Sequence, residues 1–580
     1  MRPHSFPRCK RRSLFAWSAC LLLSSCTSPA GSDPPPRSAA PTSSAAAPGP
    51  ILVSVVGLAD LHGHVETTPL LGGYVANLRA ARAATGGGVL LVDAGDMFQG
   101  TLESNLGEGR AVLHAYGALG VAAAAVGNHE FDYGPAGPAA TPTSPSDDPR
   151  GALLARIREA PFPILSANVA IAKTHARLPI GEPSTIVQIA GVSFGIIGVT
   201  SADTLQTTAH PNVADLEIKP LASTIEAEAK RLRTEARADV VVVLAHAGAK
   251  CRGFRKGIDE DQCEKDAEIF KVARELPKGA VDVIVAGHTH QGVAETVNGV
   301  PIVQAWAYGR AFSRVDLSIE RGPSGAKVAG STVFEPQALC PDAKEFSVTC
   351  ARPAYEGSVP QPDAAVAAAI APDVAAAKVR RDENLGVVLK GKVRRDYDHE
   401  SEEGNLFVDL LREAYPTATV AMTNGGGLRE DLPAGPLRYG SLFEAFPFDN
   451  KVGFATLRGA DLVKLLTEHM RQKGGVLSVS GIRVRAACRG ADLKVEVTYD
   501  DGKPVGDADT ITLLASDFML TGGDSFWGSV HPSAPTLEDA LVRDVLEAGL
   551  KKRSEIDPSA LVDEKNPRMS FPGTRPVRCP

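Results

Sequence analysis

The stretch Val281-Asp282-Val283-Ile284-Val285-Ala286-Gly287-His288-Thr289-His290 decides the reading of the fold. Its first half is a β-branched run with the length and composition of a buried strand. Its second half switches at once to glycine and two histidines, residues that turn or bind rather than pack. Working outward, the same unit recurs. Ile51–Val56 runs into Asp60-x-His62, Val89–Val92 into Gly95-Asp96, Ala122–Val126 into Gly127-Asn128-His129-Glu130, and Val240–Leu244 into His246; Val192–Val199 is a further run. Ala-rich helical stretches lie between them, which is the pattern of an α/β domain. In open α/β sheets ligands sit beyond the carboxyl ends of the strands, so the polar ends of these segments are expected to converge.

At 580 residues the chain exceeds one ordinary core, because single cores stop growing at roughly 250–300 residues. The first α/β segment is placed at 51–335 and an interdomain linker at 336–384, whose Ala364–Asp382 reads as a helix broken by Pro372. A second α/β segment is placed at 385–575, with helix-like Asn405–Tyr415 and Ala460–Arg471 and strand-like Asp509–Ala515. Hydrophobic residues at 44% and charged residues at 22% exclude a largely disordered chain. A net charge of −7 carries none of the basic excess that binds a polyphosphate backbone, so no nucleic-acid partner is expected.

The first residues form a separate segment. Arg2, Arg8, Lys10, Arg11 and Arg12 precede an apolar run from Leu14 to Leu23, and Leu23-Ser24-Ser25-Cys26 closes it. The run is too short to span a bilayer as a free helix and reads as a signal peptide over 1–25. The closing tetrapeptide resembles the bacterial lipobox, which implies lipidation at Cys26 and, with Thr27 after it, outer-membrane sorting; the alternative is an ordinary secretory signal. Removal of 1–25 takes away five cations and no acids and moves the charge from −7 to −12. Residues 26–50, rich in Ser, Ala and Pro, read as a flexible tether, and a lipid is the only membrane attachment expected. Of the nine cysteines, six lie beyond this region: Cys251, Cys263, Cys340, Cys350, Cys488 and Cys579. An even number in an exported chain points to disulfides, and proximity suggests 251–263, 340–350 and 488–579 out of about 15 possible connectivities. No C-x₂₋₄-C spacing supports a zinc finger.

A lone Asp or His after a strand is commonly a cap or a hydrogen-bonded loop residue. Taken together, in the order D-x-H, GD, GNHE, H, GHTH, the five segments resemble the calcineurin-like metallophosphoesterases over most of 51–317. The resemblance implies a β-sandwich flanked by helices and two divalent ions. Asp60, His62, Asp96 and His290 would form one metal site and Asp96, Asn128, His246 and His288 the other, with Asp96 shared. Paired cations about 3.5–4 Å apart neutralise phosphate oxygens and acidify a water between them. Mixed imidazole and carboxylate donors suit zinc, manganese or iron better than calcium. By the same resemblance His129 stabilises the transition state or protonates the leaving oxygen, with Asp132 as its partner. His64 reads as a loop hydrogen-bonder and Glu130 as a solvated carboxylate or one supporting the metal ligands.

In the second half, Thr423-Asn424-Gly425-Gly426-Gly427-Leu428-Arg429 offers glycines that admit close backbone approach and a guanidinium suited to oxyanions. It precedes Phe443-Glu444-Ala445-Phe446-Pro447-Phe448 and Asp517-Phe518-Met519-Leu520-Thr521-Gly522-Gly523-Asp524. These three segments resemble the C-terminal domain of 5′-nucleotidases, a second α/β, substrate-binding domain. The likeness implies that Asn424, Gly426, Arg429, Phe448, Phe518 and Asp524 contact a nucleotide, the two phenylalanines stacking on the base and Asp524 meeting the ribose. Phe443 and Phe446 read as core. The family's arginine before its Asn-Met-Gly segment has no counterpart in register in Arg394-Arg395-Asp396-Tyr397-Asp398-His399-Glu400-Ser401-Glu402-Glu403-Gly404-Asn405. The expected function is an exported dinuclear phosphomonoesterase acting on 5′-nucleotides. The alternatives are a relative acting on cyclic nucleotides, nucleotide sugars, dinucleotides or thiosulfate esters, and a surface-binding lipoprotein without catalysis.

Overall fold

Continuous apolar runs become strands buried on both faces, and two such sheets pack on each other. A computed structural model describes residues 49–580 apart from 138–140, 143, 254–262, 323–324 and 341–349. The signal peptide, Cys26 and all but the last two tether residues lie outside the described residues. One six-stranded sheet runs in the order Gly325–Ala338, Ala311–Gly322, Ile51–Leu58, Gly88–Asp93, Ala123–Ala125, Ile164–Leu165. The other runs Gly292–Val297, Val300–Ala305, Val283–Ala286, Val240–His246, Val192–Thr200, Ser184–Ile189. Within the first sheet the strands from Ile51–Leu58 to Ile164–Leu165 are parallel, as are Val283–Ala286, Val240–His246 and Val192–Thr200 in the second.

Val53, Val55, Leu90 and Val92 interlock with Phe194, Val240, Val242, Val283 and Val285 between the sheets. Helices Thr68–Ala83 and Arg110–Leu119 cover one outer face, and Leu221–Thr234 and Glu268–Glu275 cover the other. The result is a β-sandwich flanked by helices. Gly57 faces the opposite sheet with no room for a side chain, since a Cβ there would lie 2.4 Å from Val285 Cγ1.

The second half is built on the sheet Leu477–Ser480, Val420–Asn424, Thr510–Ser516, Lys451–Arg458, Thr536–Leu541. Helices Glu402–Ala414 and Val542–Lys551 pack on one face, and Gly459–Arg471 on the other. The disulfides are Cys251–Cys263, Cys340–Cys350 and Cys488–Cys579. No helix among the described residues is long and apolar enough to cross a membrane.

The connecting helix corrects one expectation. Ala364–Arg381 runs unbroken through Pro372. A proline inside a helix costs roughly 3 kcal/mol, but here both ends are held. Asp363 caps the N-terminus by accepting from the Ala365 and Val366 amides, Val366 and Ile370 join the core of the first half, and Ala377 joins that of the second. Lys378, Arg380 and Arg381 in the last turn complement the helix dipole.

Candidate active site

Every expected metal ligand lies at the carboxyl end of a parallel strand or one to four residues beyond it. His246 is the last residue of its strand; Asp60 and His62 follow Ile51–Leu58, Asp96 follows Gly88–Asp93, Asn128 follows Ala123–Ala125, and His288 and His290 follow Val283–Ala286. The ligand loops are laced together. The Asp60 amide donates to the Gly95 carbonyl (2.9 Å), His62 to Asp96 (3.0 Å) and Gly63 to Met97 (2.9 Å). Asp60, His62, Asp96, His288 and His290 all have positive φ, between 48° and 77°. For non-glycine residues this conformation costs about 1–2 kcal/mol each, and it persists where neighbouring contacts over-determine it, as at functional sites.

The donor atoms form two overlapping groups, Asp60–His62–Asp96–His290 and Asp96–His246–His288, each lying within 4.8 Å of one another. Asn128 Oδ1 completes the second group, 3.0 Å from both His246 Nε2 and His288 Nδ1. Asp96 Oδ2 stands 3.1 Å from His246 Nε2 and 3.8 Å from His62 Nε2, so one carboxylate oxygen faces both groups. His62 Nδ1 is bonded to the Gln99 carbonyl at 2.8 Å, and since a carbonyl only accepts, Nδ1 carries the proton and Nε2 presents a lone pair. That lone pair faces His290 Nε2 at 3.0 Å. Burial holds His62 well below the usual imidazole range, and burial followed by the Arg429 charge lowers His290 to about 3, so both are neutral donors. Two neutral imidazoles whose Nε2 atoms converge, beside an Asp60 Oδ2 that is buried without a hydrogen-bond partner, fit a bound cation.

Glu130 is neither solvated nor idle. Its Oε2 accepts from the amides of Asp96 (2.9 Å) and Gly127 (2.6 Å), and its Oε1 from those of Met97 (2.7 Å) and Phe98 (3.3 Å). Burial, then the Asp96 charge, push its carboxyl up to about 7 while the Gly127 and Asp96 amides pull it back. Gly127 must be glycine, because a Cβ would stand 2.2 Å from Asp96 Oδ1. In Glu130→Gln the new NH₂ must face two N–H donors whichever way the amide is turned. Metal affinity is therefore expected to fall about 10–100-fold, as measured by chelator competition; unchanged affinity would remove Glu130 from this role.

His129 donates its Nδ1–H to Asp132 Oδ2 at 2.5 Å, which leaves Nε2 for the cavity, and its backbone amide donates to Asp96 Oδ1 at 2.9 Å. Burial lowers the imidazole, but Asp132 and then Asp96 outweigh it and leave it above its ordinary range. A single cavity of about 290 Å³ joins this centre to the second half of the chain. Asp96, Asn128, His288 and His290 line one side of it, and Asn424, Gly426, Arg429, Phe448, Phe518 and Asp524 line the other. Arg429 lies over the Phe448 ring at 5.3 Å, His129 faces the same ring at 6.3 Å, and Asn424 donates to Asp524 at 2.7 Å. The Pro447 carbonyl accepts from Gln99 at 3.2 Å, a direct tie between the two halves at the cavity.

Residues 53–292 match the calcineurin-like phosphoesterase model, and residues 374–529 match the model of the 5′-nucleotidase C-terminal domain. The chain carries a calcineurin-like phosphoesterase domain followed by a 5′-nucleotidase C-terminal domain. It is a metal-dependent phosphoesterase hydrolase. It is 26% identical to the protein UshA of Yersinia enterocolitica over 84% of this chain and 87% of that one. It is 24% identical to a 5′-nucleotidase of Vibrio cholerae over 78% of this chain and 80% of that one. The crystal structure of a 5′-nucleotidase precursor from Thermus thermophilus covers 90% of this chain and all of that one, with a TM-score of 0.67 and 22% identity, and shares the fold.

Arg394, Arg395, Phe443, Phe446 and His64 sit as the sequence reading has them, while Tyr397, Asp449 and Arg543 join the site without having been singled out by it. Arg394 is exposed and ion-paired at 3.9 Å with Glu402, Arg395 donates to the Leu428 carbonyl at 3.4 Å, and neither lines the cavity. Tyr397 lines it instead. Arg543 is buried and grips the carbonyls of Phe446 and Phe448 at 3.2 and 3.0 Å and the Asp449 carboxylate, so it sets the position of the Phe448 ring. No local motif marks Arg543, which reaches the site from a distant helix. Asp449, next to Phe448 in sequence, was within reach of motif reading. Phe443 and Phe446 are buried, Phe446 also bordering the cavity, and His64 is bonded to Glu66 at 2.8 Å.

Proposed function

We propose that this protein is an exported phosphomonoesterase that removes phosphate from 5′-nucleotides. The observation that carries the reading is the one cavity shared by the metal-ligand set and the Phe448–Phe518–Asp524 group. Asp60, His62, Asp96 and His290, with Asn128, His246 and His288, would hold two divalent cations, which supply Lewis acidity, charge neutralisation and an acidified water. The chain's own side chains do the rest. Arg429, within electrostatic reach of His62, His129 and His290, grips phosphoryl oxygens. His129, oriented by Asp132, holds a proton at Nε2 for the departing 5′-oxygen. Phe448 and Phe518 flank the base, while Asp524, kept in place by Asn424, meets the ribose.

The three disulfides and the signal-like N-terminal segment support export, and Cys26 is the proposed lipid attachment site. The half spanning 51–335 is proposed to carry the metal centre and that spanning 385–575 the nucleoside pocket. Phosphate release from a nucleotide panel with defined metals tests the function; the reading fails if AMP is hydrolysed no better than a simple aryl phosphate. A second expectation concerns stacking, which contributes about 1–3 kcal/mol per base. Phe518→Ala is expected to raise KM for nucleotides roughly 5- to 100-fold and to spare p-nitrophenyl phosphate. Equal loss on both substrates would remove the stacking role.

A further inference from the structure

The geometry points to Arg575 as a positioning residue for the cavity: from the segment 571–580 it straps down the glycine turn that forms part of one wall. The kinetic part of this inference rests on the nucleotidase reading. The turn is Gly425–Gly427, of which Gly426 and Gly427 line the cavity beside Asn424 and Arg429. Consecutive glycines carry no side chains to pack and lose more conformational freedom on ordering than any other residue, so neighbouring structure must hold them.

What lies against them is also glycine. The loop after the helix Gly459–Arg471 reads Gln472-Lys473-Gly474-Gly475. A Cβ on Gly475 would stand 2.8 Å from the Gly426 nitrogen and 3.1 Å from the Gly425 carbonyl carbon. Just beyond it, the Gly425 amide donates to the Val476 carbonyl and the Val476 amide to the Tyr397 carbonyl, both at 2.8 Å, and Leu477 pairs with Asn424. The cavity turn therefore stays in place only as long as loop 472–475 does.

Arg575 fixes that loop. Its Nη1 donates to the carbonyls of Gly475 (2.7 Å) and Gly474 (3.0 Å), its Nη2 to those of His469 (2.6 Å) and Gln472 (3.4 Å), and its Nε to His469 again (3.1 Å). A planar fork of five N–H donors can serve several carbonyls at once. Burial lowers the guanidinium to about 10, so at neutral pH it is still a cation and its bonds are charge-assisted. The residues after it are anchored in turn. The Val577 amide donates to the Met470 carbonyl at 2.8 Å, Val577 is buried in the core beneath the same helix, and Cys579 is bonded to Cys488 of the strand Ile482–Arg489. Arg429 is held separately, through its amide on the Ala445 carbonyl at 2.9 Å, and its guanidinium meets the turn only at the Gly426 carbonyl, 3.4 Å away. Loss of Arg575 thus loosens the wall that carries Asn424 and Gly426 and leaves the metal-ligand loops untouched.

The test uses the full manganese-loaded enzyme and two variants: Arg575→Ala, which removes the fork, and Gly475→Ala, which pushes on the turn from the other side of the contact. Hydrogen–deuterium exchange over 423–429 is expected to rise roughly tenfold in Arg575→Ala, with the strand Val240–His246 unchanged. Both variants are expected to raise KM for AMP roughly fivefold or more, with kcat kept within about twofold and p-nitrophenyl phosphate hydrolysis retained. Exchange over 423–429 equal to the wild type, a rise spread evenly over both halves, an unchanged KM for AMP in both variants, or equal losses on the two substrates would overturn the assignment. A wild-type enzyme that handles AMP no better than p-nitrophenyl phosphate would overturn the nucleotidase reading instead, and the exchange comparison alone would then decide whether Arg575 holds the turn.

Discussion

His129→Ala is expected to lower kcat by about 10²–10⁴-fold, the range for loss of a positioned general acid, while both cations stay bound. The separation of the two readouts follows from the geometry. His129 contributes no atom to either donor group; its imidazole is turned to Asp132 through Nδ1 and to the cavity through Nε2. Its hydrogen bond to an expected metal ligand is the backbone amide on Asp96 Oδ1, which alanine keeps, and its imidazole meets His62 only edge-on, at 5.0 Å between ring centroids. The measurement is turnover together with metal content of the purified variant. A parallel loss of metal would make His129 a ligand or a support, and a kcat within threefold of the wild type would remove it from the chemistry.

Asp96→Asn is expected to act the other way, through metal occupancy first. One carboxylate oxygen faces His246 on one side and His62 on the other, so this residue is the only donor common to both groups. An amide in its place brings no charge to hold two cations close together. If its NH₂ replaces Oδ1 it faces the His129 amide; if it replaces Oδ2 it faces the two imidazoles. The metal content is expected to fall to one ion per chain or fewer. With the loss of an ion that contributes several kcal/mol to the transition state, kcat/KM falls on the order of 10³-fold or more. Full occupancy in this variant would show that the two groups do not share Asp96.

Much of the fold was legible because buried parallel strands cannot disguise themselves. Val240–His246 has no exposed position, so its sequence is a plain apolar run, and the histidine at its end stands out against it. The same contrast marks Asp60, Asp96, Asn128 and His288. What stayed out of sight depends on tertiary context. Pro372 looks like a helix breaker because local sequence does not reveal that both ends of its helix are anchored in separate cores. Glu130 reads equally as a solvated acid or as a support for the metal ligands until four backbone amides from two loops are seen to converge on it. Arg543 and Tyr397 owe their places to the way distant segments close around Phe448 and Asp524, a matter of packing on which composition and spacing are silent.

The most direct test of the account is an anomalous-difference map from crystals grown with manganese or zinc. The account predicts two peaks about 3.5–4 Å apart, one enclosed by Asp60, His62, Asp96 and His290 and the other by Asp96, Asn128, His246 and His288. A single peak at full metal saturation, or peaks lying away from Asp96, would contradict it.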